Sequence, residues 1–484
     1  MPLKEFYKAR IDLFQQKADR LQHVENRLSM ARLITFAGIF LFFFSLQAFS
    51  ITLAVAASLA CMIAFGMLIK QYSVTEKQKE YFRHLVKINT LEVKSLEGDS
   101  SAFADGGEYI DRDHPNSYDL DLFGHASVFQ FVNRTNSIPG AALLAGWLRE
   151  PAEMEEIRLR QKAVETLKPE IDWRQDLMTT GHLTRQSLDN PGELLSWMKR
   201  ENEFPRVRRL KMITVSLSAL GIAVTVMVIA GLPAVLLLPV LLLNFIYYFS
   251  QGSHITRLHQ QVSKSADLMQ TYAEIISLIE EKEFDSEKLK SLQLHFRARP
   301  AASAAINRLS KLVSRLDTRL NIMVSIPLNL FFFWDIHCCL ALEKWKNHYA
   351  GEINSWLAAM AEFEALNSMA NMAFNHASWT MPDIVPGYFT FRAENVGHPL
   401  IPGCRRVLND ININGEGRVL IVTGSNMSGK STFLRTCGVN AVLALAGAPV
   451  CATSFTMSHV QVYSSMRISD SLEDNTSSFY AELK

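Results

Sequence analysis

The sequence predicts a multidomain fold: an α-helical core with two transmembrane helical hairpins, followed by an α/β P-loop domain. Three observations predict it. Two long blocks, Leu33–Ile69 and Met212–Ser253, carry no charged residue. Outside them, apolar residues recur at helical spacing as far as residue 384, and from residue 385 short apolar runs alternate with a helix. A glycine-rich loop of phosphate-binding type precedes that helix.

Composition sets the class of protein. The chain has 484 residues, of which 48% are hydrophobic and 20% charged, with 49 basic against 48 acidic side chains. Such a length gives room for roughly two to four domains, and such a composition excludes a disordered tail. The balanced charge argues against a nucleic-acid binder that works by bulk positive charge, although a local basic groove remains compatible with it.

The first uncharged block predicts a membrane hairpin. A single helix of this length would extend about 55 Å, nearly twice the bilayer core of about 30 Å. Two spans joined by a turn near Gln47–Ser50 fit better. In the second block the turn is clearer, at Gly231-Leu232-Pro233, and Tyr247 and Tyr248 near its end suit an interfacial position. The alternative, a pair of hairpins buried in a soluble core, is disfavoured because core helices normally show a polar face.

Flanking charge predicts the orientation of both hairpins. The two turns carry no charge, whereas the outer ends of the blocks are basic, so both termini and the central region are expected on the cytoplasmic side of the inner or plasma membrane. The basic residues at these ends are Lys17, Arg20, Arg27, Arg32, Lys70, Lys77, Lys79, Arg83, Lys199, Arg200, Arg206, Arg208, Arg209, Lys211, Arg257 and Lys264. The cluster from Lys199 to Lys211 could contact DNA, but topology and anionic lipid explain it first.

A third apolar stretch, Asn321–Leu342, resembles a span but contains Asp335 and His337. A lone span here would also place all that follows outside the cell. We therefore expect a buried helix of the soluble part.

The remaining chain divides by pattern. Residues 98–116 read as a linker, and helix is expected from residue 304 to about residue 375. Strands are expected at Tyr388–Phe391, Val407–Ile413, Arg418–Thr423 and Val460–Tyr463. The expected domains are 1–31 (cytoplasmic helix), 32–70 (hairpin 1), 71–119 (helix and linker), 120–211 (helical core), 212–253 (hairpin 2), 254–384 (helical lever and core) and 385–484 (P-loop domain).

The chemical motif is the G-x-x-x-x-G-K-[ST] pattern, with an apolar run before it and a predicted helix after it, Lys430 to about Ala446, capped by Gly447. Glycines let successive backbone N–H groups turn toward phosphate oxygens, and the helix N-terminus adds partial positive charge. Lys430 would reach the β- and γ-phosphates of ATP, and Ser431 would ligate Mg²⁺. The motif residues are Gly424, Ser425, Asn426, Met427, Ser428, Gly429, Lys430 and Ser431.

A nucleotide hydrolase also needs an acidic residue at the end of an apolar strand. The acids after Lys430 are Asp470, Glu473, Asp474 and Glu482, and none follows an apolar run. We therefore expect either a degenerate site or a chain truncated at its C-terminus, and the catalytic acid is not assigned.

The loop Thr423–Thr432, with Asn426-Met427 inside it, resembles that of the MutS mismatch-repair ATPase family. Other segments match the family in the same order: Gly397-His398-Pro399-Leu400 resembles its His-Pro strand, and Ser469–Phe479 its signature loop, with Ser477 and Ser478 at the Ser-Thr positions. Upstream segments that resemble the start of its helical core are Phe129–Thr135, Gly140, Trp147–Pro151 and Arg160–Val164.

The resemblance implies a dimeric ABC-type ATPase whose nucleotide state is coupled to a DNA clamp. By position, Gly424 to Thr432 would bind ATP and Mg²⁺, Asn426 would support the nucleotide, and His398 could touch it. Ser477 and Ser478 would complete the partner's site in trans. The family's base-stacking aromatic would fall at Ile411, which cannot stack in the same way. The chain departs from the family by lacking a mismatch-reading domain with its Phe-Tyr-Glu wedge and by carrying the second hairpin inside the core.

Three functions compete at this point. The first is a membrane-anchored MutS-like ATP-binding protein that couples dimer closure to binding of mismatched or damaged DNA. The second is an ATP-driven switch at the membrane that acts on a protein partner without reading mismatches. The third, an ABC transporter, is weak because no LSGGQ-type signature is present and a helical core separates the spans from the P-loop.

Overall fold

The computed structural model describes residues 2–182, 192–263, 266–297, 301–425 and 428–466. The fold is mostly helical, with a small mixed sheet near the C-terminal end. The α-helices of the first half are α1 (Leu3–Leu46), α2 (Ile51–Leu96), α3 (Val128–Val132), α4 (Ile138–Arg149), α5 (Met154–Leu167), α6 (Ile171–His182), α7 (Gly192–Lys199), α8 (Val207–Ile229) and α9 (Leu237–Ser250).

Those of the second half are α10 (Gly252–Val262), α11 (Ala266–Glu281), α12 (Glu287–Leu294), α13 (Ala302–Leu316), α14 (Ile322–Phe332), α15 (Trp334–Tyr349), α16 (Ile353–Asn375) and α17 (Lys430–Ala446). The strands are β1 (Asp383–Val385), β2 (Thr390–Val396), β3 (Asn409–Asn414) and β4 (Ser454–Ser458). Short 3₁₀ turns lie at Gly107–Tyr109, Ala234–Leu236 and Asp317–Leu320.

Helices α1 and α2 form one long hairpin whose turn lies at residues 47–50, as the sequence predicts. Ser50 begins α2 by accepting a hydrogen bond from the backbone N–H of Leu53. Below the apolar half, Lys79 and Glu25 form a buried ion pair between the two helices, and Tyr72 donates to the same carboxylate at 3.0 Å. Hydrogen bonding from Lys79 lowers the pKa of Glu25. The charged half of the hairpin is therefore internally paired.

The apolar half of this hairpin is exposed along its length. Leu33 and Phe44 are 64% and 65% accessible, respectively. Helices α8 and α9 form the second hairpin around Gly231, whose φ of +110° suits glycine, and their apolar side chains are also exposed. Helices α1, α2 and α8 are each long and apolar enough to cross a membrane. The alternative of buried core hairpins is therefore wrong, since little of either apolar surface is covered by this chain.

The stretch Asn321–Leu342 is not one buried helix, and that expectation is wrong for its first half. Phe333 adopts a left-handed conformation (φ +48°), which ends α14 and turns the chain by 81° into α15. Helix α14 is exposed and apolar, whereas α15 is buried against the soluble helices. The continuous helix expected from residue 304 to 375 is thus divided into four, because Asn321, Phe333 and residues 350–352 interrupt it.

The core of the soluble part is built around α16. Nearly all of its side chains are buried, and it packs against α4, α5 and α12. Its N-terminal end follows α15, and its C-terminal end leads directly to β1. Burial of such a helix on all sides contributes a large share of the hydrophobic stabilisation. This helix therefore joins the segment beside the second hairpin to the sheet that carries the P-loop.

The sheet has the strand order β1-β4-β2-β3 within the described residues. β1 runs parallel to β4, while β2 is antiparallel to both β4 and β3. Phe391 of β2 lies opposite Met457 of β4 and Ile413 of β3, which places these side chains on the core face. The strands expected near residues 388–391 and 407–413 are confirmed. Both begin two residues later than expected, and β2 ends five residues later, at Val396, and β3 one residue later, at Asn414.

Two strand predictions are wrong. The run Arg418–Thr423 is irregular, with Val419 84% and Ile421 78% exposed. It pairs with no strand among the described residues. The two edge strands of the sheet are β1 and β3, and this run is added to neither. Val460–Tyr463 is also irregular; the strand lies earlier, at β4, where Phe455 and Met457 alternate into the core.

Candidate functional site

The site is organised by the N-terminus of α17. Gly429 precedes the helix with a φ of +88°, a left-handed conformation that a side chain would strain. Gly424 is held close to Ser428, since a Cβ built on it would lie 2.8 Å from the Ser428 hydroxyl oxygen. No side chain caps the helix, so its first backbone N–H groups keep their capacity to bind an anion.

Lys430 is folded over the loop that leads into its own helix. Its ammonium group donates to the carbonyl oxygens of Gly424, at 2.8 Å, and Ser425, at 2.7 Å. These carbonyls hold the positive charge at the mouth of the helix N-terminus. Lysine and helix dipole therefore act in the same place, which favours a phosphate group.

A cavity of about 440 Å³ opens beside this lysine. Its volume lies within the range of small-molecule sites, roughly 300–1,000 Å³. The lining residues are His398, Ile401, Arg405, Val407, Asn409, Asp410, Val422, Thr423, Ser428, Gly429, Lys430, Thr432, Phe433 and Thr436. One side is thus cationic and hydroxyl-rich, and the other is partly apolar.

The structure brings together part of the site predicted from sequence. Ser428, Gly429, Lys430, Thr432 and His398 line one cavity. Gly424 and Ser425 join it through the lysine hydrogen bonds. Ser431 is exposed on the first turn of α17 but does not line the cavity. Asn426, Met427, Ser477 and Ser478 lie outside the described residues.

Ile411, the position at which the family's base-stacking aromatic would fall, does not line the cavity. Ile411 pairs with Ala393 across β2 and β3 and is only 9% exposed, so its side chain belongs to the core face of the sheet. The cavity is lined instead by Val407, at the approach to β3, and by Phe433 on α17. Sequence reasoning missed Arg405, Val407 and Asp410; the one available signal was their place between the His-Pro segment and the P-loop.

His398 is a neutral member of the cavity wall. Its Nδ1 accepts a hydrogen bond from the backbone N–H of Leu400 at 3.3 Å. Burial, with the nearby Arg435 guanidinium, lowers the pKa of His398 to about 4. At neutral pH the ring therefore offers hydrogen bonds but no charge, and the cationic character of the cavity comes from Lys430 and Arg405.

We expect stability to fall as the pH is lowered from about 6.5 to about 4. His376, stacked on Trp379 with ring centroids 4.2 Å apart, also has a pKa of about 4 because of burial. In the unfolded chain the histidine pKa values are near 6.5, so the unfolded state binds these protons first as the pH falls. Each histidine therefore lowers the free energy of unfolding by on the order of 1–3 kcal/mol across this window. Thermal unfolding of wild type and His376→Phe at pH 7 and pH 5 measures this effect. The variant should lose less stability than the wild type between the two pH values. An equal loss of stability would contradict the role of His376 in this pH dependence.

Helix α17 is seated on the helical core through residues from the upstream segments. Arg160 donates to the carbonyl oxygen of Ala446 at 3.2 Å and lies over the Trp147 ring at 3.8 Å. Gly438 on α17 lies against Leu120, where a Cβ would have no room. The C-terminal end of α17 is thus fixed to α4 and α5, while its N-terminal end faces the cavity.

The segment Phe129–Thr135 connects the same core to α2. Arg134 is buried and donates to Glu92 of α2, from Nε at 2.6 Å and from Nη2 at 3.3 Å. Asn375, at the end of α16, donates to the same carboxylate at 2.7 Å. Hydrogen bonds and charge from Arg134 overcome the effect of burial and lower the pKa of Glu92.

A glycine-rich loop leading into an uncapped helix, with a lysine folded over it, is the arrangement of phosphate-binding-loop proteins. Comparison with known proteins shows a similarity over part of the chain. The profile of MutS domain V matches residues 420–484. The DNA mismatch repair protein MutS of Ehrlichia ruminantium (strain Gardel) is 32% identical over 176 residues, which is 36% of this chain and 20% of that protein.

Two further relatives agree. The DNA mismatch repair protein MutS of Granulibacter bethesdensis is 31% identical over 150 residues, covering 30% of this chain and 16% of its own length. The DNA mismatch repair protein MutS 2 of Halobacterium salinarum is 36% identical over 128 residues, which is 26% of this chain and 14% of that protein. The chain is therefore similar to MutS proteins over part of its length, and the matched part spans a fifth or less of each of these relatives.

Proposed function

We propose that this chain is a membrane-anchored, ATP-binding member of the MutS family. The observation that carries the proposal is the cavity at the N-terminus of α17, where Lys430 and an uncapped helix end face the same space. The loop Gly424–Thr432 would hold the phosphates, Ser431 would ligate Mg²⁺, and His398 would contact the nucleotide. Bound Mg²⁺ would neutralise phosphate charge during hydrolysis.

Family membership supports a dimer as the working form. The printed names of the relatives describe DNA mismatch repair proteins. We infer that two copies close around nucleotide, with Ser477 and Ser478 of one copy completing the other's site. ATP-dependent closure would then change the affinity for DNA, and the described contacts give a route for the coupling. Arg160 fixes α17 to the core, and Arg134 with Asn375 fixes the core to α2.

Membrane anchoring is supported by the surfaces of the hairpins. Apolar side chains such as Leu33, Ile229 and Leu238 are 64%, 81% and 65% exposed, which water would penalise and a bilayer would not. Below the apolar half of the first hairpin, Lys79 and Glu25 form a buried ion pair between the two helices. We place the hairpins in the inner or plasma membrane, with the P-loop domain in the cytoplasm.

Topology gives a direct prediction. In intact cells, Leu232→Cys at the turn of the second hairpin should react with a membrane-impermeant maleimide, because that turn would face outward. Lys344→Cys, on the exposed face of α15, should react only after the membrane is opened, and the wild-type chain gives the background from its six cysteines. Labelling of Leu232→Cys from the cytoplasmic side alone would contradict the hairpin topology.

A second candidate function is an ATP-driven switch at the membrane that acts on a protein partner. It is favoured by the placement of the exposed basic residues Arg206, Arg208 and Arg209, which lie at the very start of α8, where they would meet lipid headgroups before DNA.

Binding of homoduplex and mismatched DNA by the full-length protein in detergent, across salt concentrations, separates the two functions. A DNA role predicts affinity that falls steeply with salt and weakens further in Arg208→Glu/Arg209→Glu. Lack of binding at low salt, with nucleotide binding intact, would leave the switch as the function.

A further inference from the structure

Helix α14 is the most exposed apolar element outside the two hairpins. Met323 is 89% accessible, Ile322 is 71% and Ile326 is 53%, and the helix carries no charged residue. It packs chiefly against α8, α9 and the preceding 3₁₀ turn, and more weakly against α15. Its 11 residues measure about 16 Å, half of a bilayer core.

We propose that α14 is a non-spanning membrane helix, inserted in the lipid bilayer beside the second hairpin, so that α8, α9 and α14 form one three-helix membrane unit. This inference rests on the proposed membrane location of that hairpin. Lipid covers the exposed surface of α14 in this proposal, because that apolar surface continues the surface of α9, where Leu242 and Phe245 are 59% and 51% exposed. A helix that is apolar on every side suits lipid better than a one-sided protein contact.

The segments that flank α14 lie next to one another. Arg319 precedes the helix and Asp335 follows it, and their side chains approach to 3.8 Å, Nε to Oδ2. Tyr248, near the end of α9, donates to the same carboxylate oxygen at 2.8 Å. The chain therefore enters and leaves the proposed lipid layer on one side. This is the geometry of a re-entrant segment and not of a membrane span.

One backbone carbonyl in the last turn of α14 has a side-chain partner on α9. Asn244, fully buried on α9, donates from Nδ2 to the carbonyl oxygen of Leu330 at 2.7 Å. This carbonyl lies in the last turn of α14, where a helix leaves its C=O groups without an intrahelical partner. Asn329 accepts from the backbone N–H of Asp335 at 2.9 Å and so begins α15. Unpaired groups at such a break would cost several kcal/mol each in hydrocarbon.

The three helices also approach closely. A Cβ built on Gly221 of α8 would lie 3.5 Å from Asn244 Nδ2 and 4.0 Å from the Phe331 ring. Glycine at this crossing lets all three helices meet, the device by which small residues favour helix packing in lipid. Asn244 is fully buried at this crossing.

The test uses the full-length chain in phosphatidylcholine–phosphatidylglycerol vesicles. A fluorescent amino acid is introduced singly at Met323 on α14, Leu242 on α9 or Lys344 on α15. Quenching by lipids brominated on their acyl chains is compared with quenching by iodide in the water. The probes at Met323 and Leu242 should both be quenched severalfold more by brominated lipid than the probe at Lys344, which iodide should reach.

The outcomes separate this inference from the function on which it rests. If lipid quenches the probe at Leu242 but iodide, or neither agent, quenches the one at Met323, the membrane unit has two helices and the inference is wrong while the anchor stands. If lipid does not quench the probe at Leu242, the anchor itself fails. In Asn244→Leu the probe at Met323 should gain iodide quenching, because the Leu330 carbonyl loses its partner; the exposed neighbour Phe245→Leu should leave it unchanged.

Discussion

Replacing Lys430 with alanine is expected to lower affinity for Mg²⁺–ATP by about 100-fold or more. The substitution removes the ammonium group that Gly424 and Ser425 hold at the helix N-terminus. Charge-assisted hydrogen bonds contribute about 1.5–3 kcal/mol each, and about 2.7 kcal/mol corresponds to a 100-fold change in affinity. Titration of the full-length protein with a fluorescent ATP analogue measures the effect.

The matched control is Lys344→Ala, which removes an exposed lysine from α15, away from the cavity lining. It should bind nucleotide as the wild type does. Equal affinity in Lys430→Ala and in wild type would show that the cavity is not a phosphate site, and the proposed function would lose the observation that carries it.

The second large effect is expected at the ion pair between the helical core and α2. Arg134→Met should destabilise the protein by about 3–5 kcal/mol, because it leaves the Glu92 carboxylate buried without its cation. Thermal unfolding in detergent, followed by circular dichroism, should show a midpoint lower by roughly 3–5 °C, because the unfolding entropy of a 484-residue chain is about 1 kcal/mol/K.

Two further variants separate charge burial from loss of packing. The double variant Arg134→Met/Glu92→Leu should recover part of the lost stability, since no uncompensated charge then remains in the core. Arg158→Met, at an exposed position of α5, should change the midpoint little. If the double variant were as unstable as Arg134→Met, the loss would come from packing around the Phe103 ring, over which Arg134 lies at 3.5 Å, and not from the unpaired charge.

Much of the fold followed from local pattern. The turns at Gln47–Ser50 and Gly231 were predictable because charge is absent on either side and the second turn contains Gly-Leu-Pro. Helix α17 was predictable from both ends, since Gly429 and Gly447 adopt left-handed conformations where the sequence places glycine. These features depend on neighbours within a few residues.

Strand position was less predictable, because a strand is defined by its partners. The apolar run Arg418–Thr423 has the composition of a buried strand but pairs with none among the described residues. The strand β4 has a weaker apolar pattern, Ser454–Ser458, yet it forms because β1 and β2 offer it hydrogen bonds on both edges.

The candidate site divides in the same way. The spacing of Gly424, Gly429 and Lys430 predicted a phosphate-binding loop, since the chemistry is carried by consecutive backbone groups. The apolar lining, with Val407 and Phe433, was decided only by the meeting of segments distant in sequence. Ile411 shows the limit of carrying a role over by position, because the pleat of β3 turns it into the core.

The sequence by itself determined two uncharged hairpins, their basic flanks, a phosphate-binding loop and resemblance to the MutS family, all of which are written in contiguous residues. Only the tertiary structure decided that α14 leaves the soluble core and joins the second hairpin, that Glu92 and Arg134 meet, and that His398 faces Lys430 across one cavity. The physical reason is that hydropathy and spacing act locally, whereas burial and ion pairing depend on which distant segments pack together.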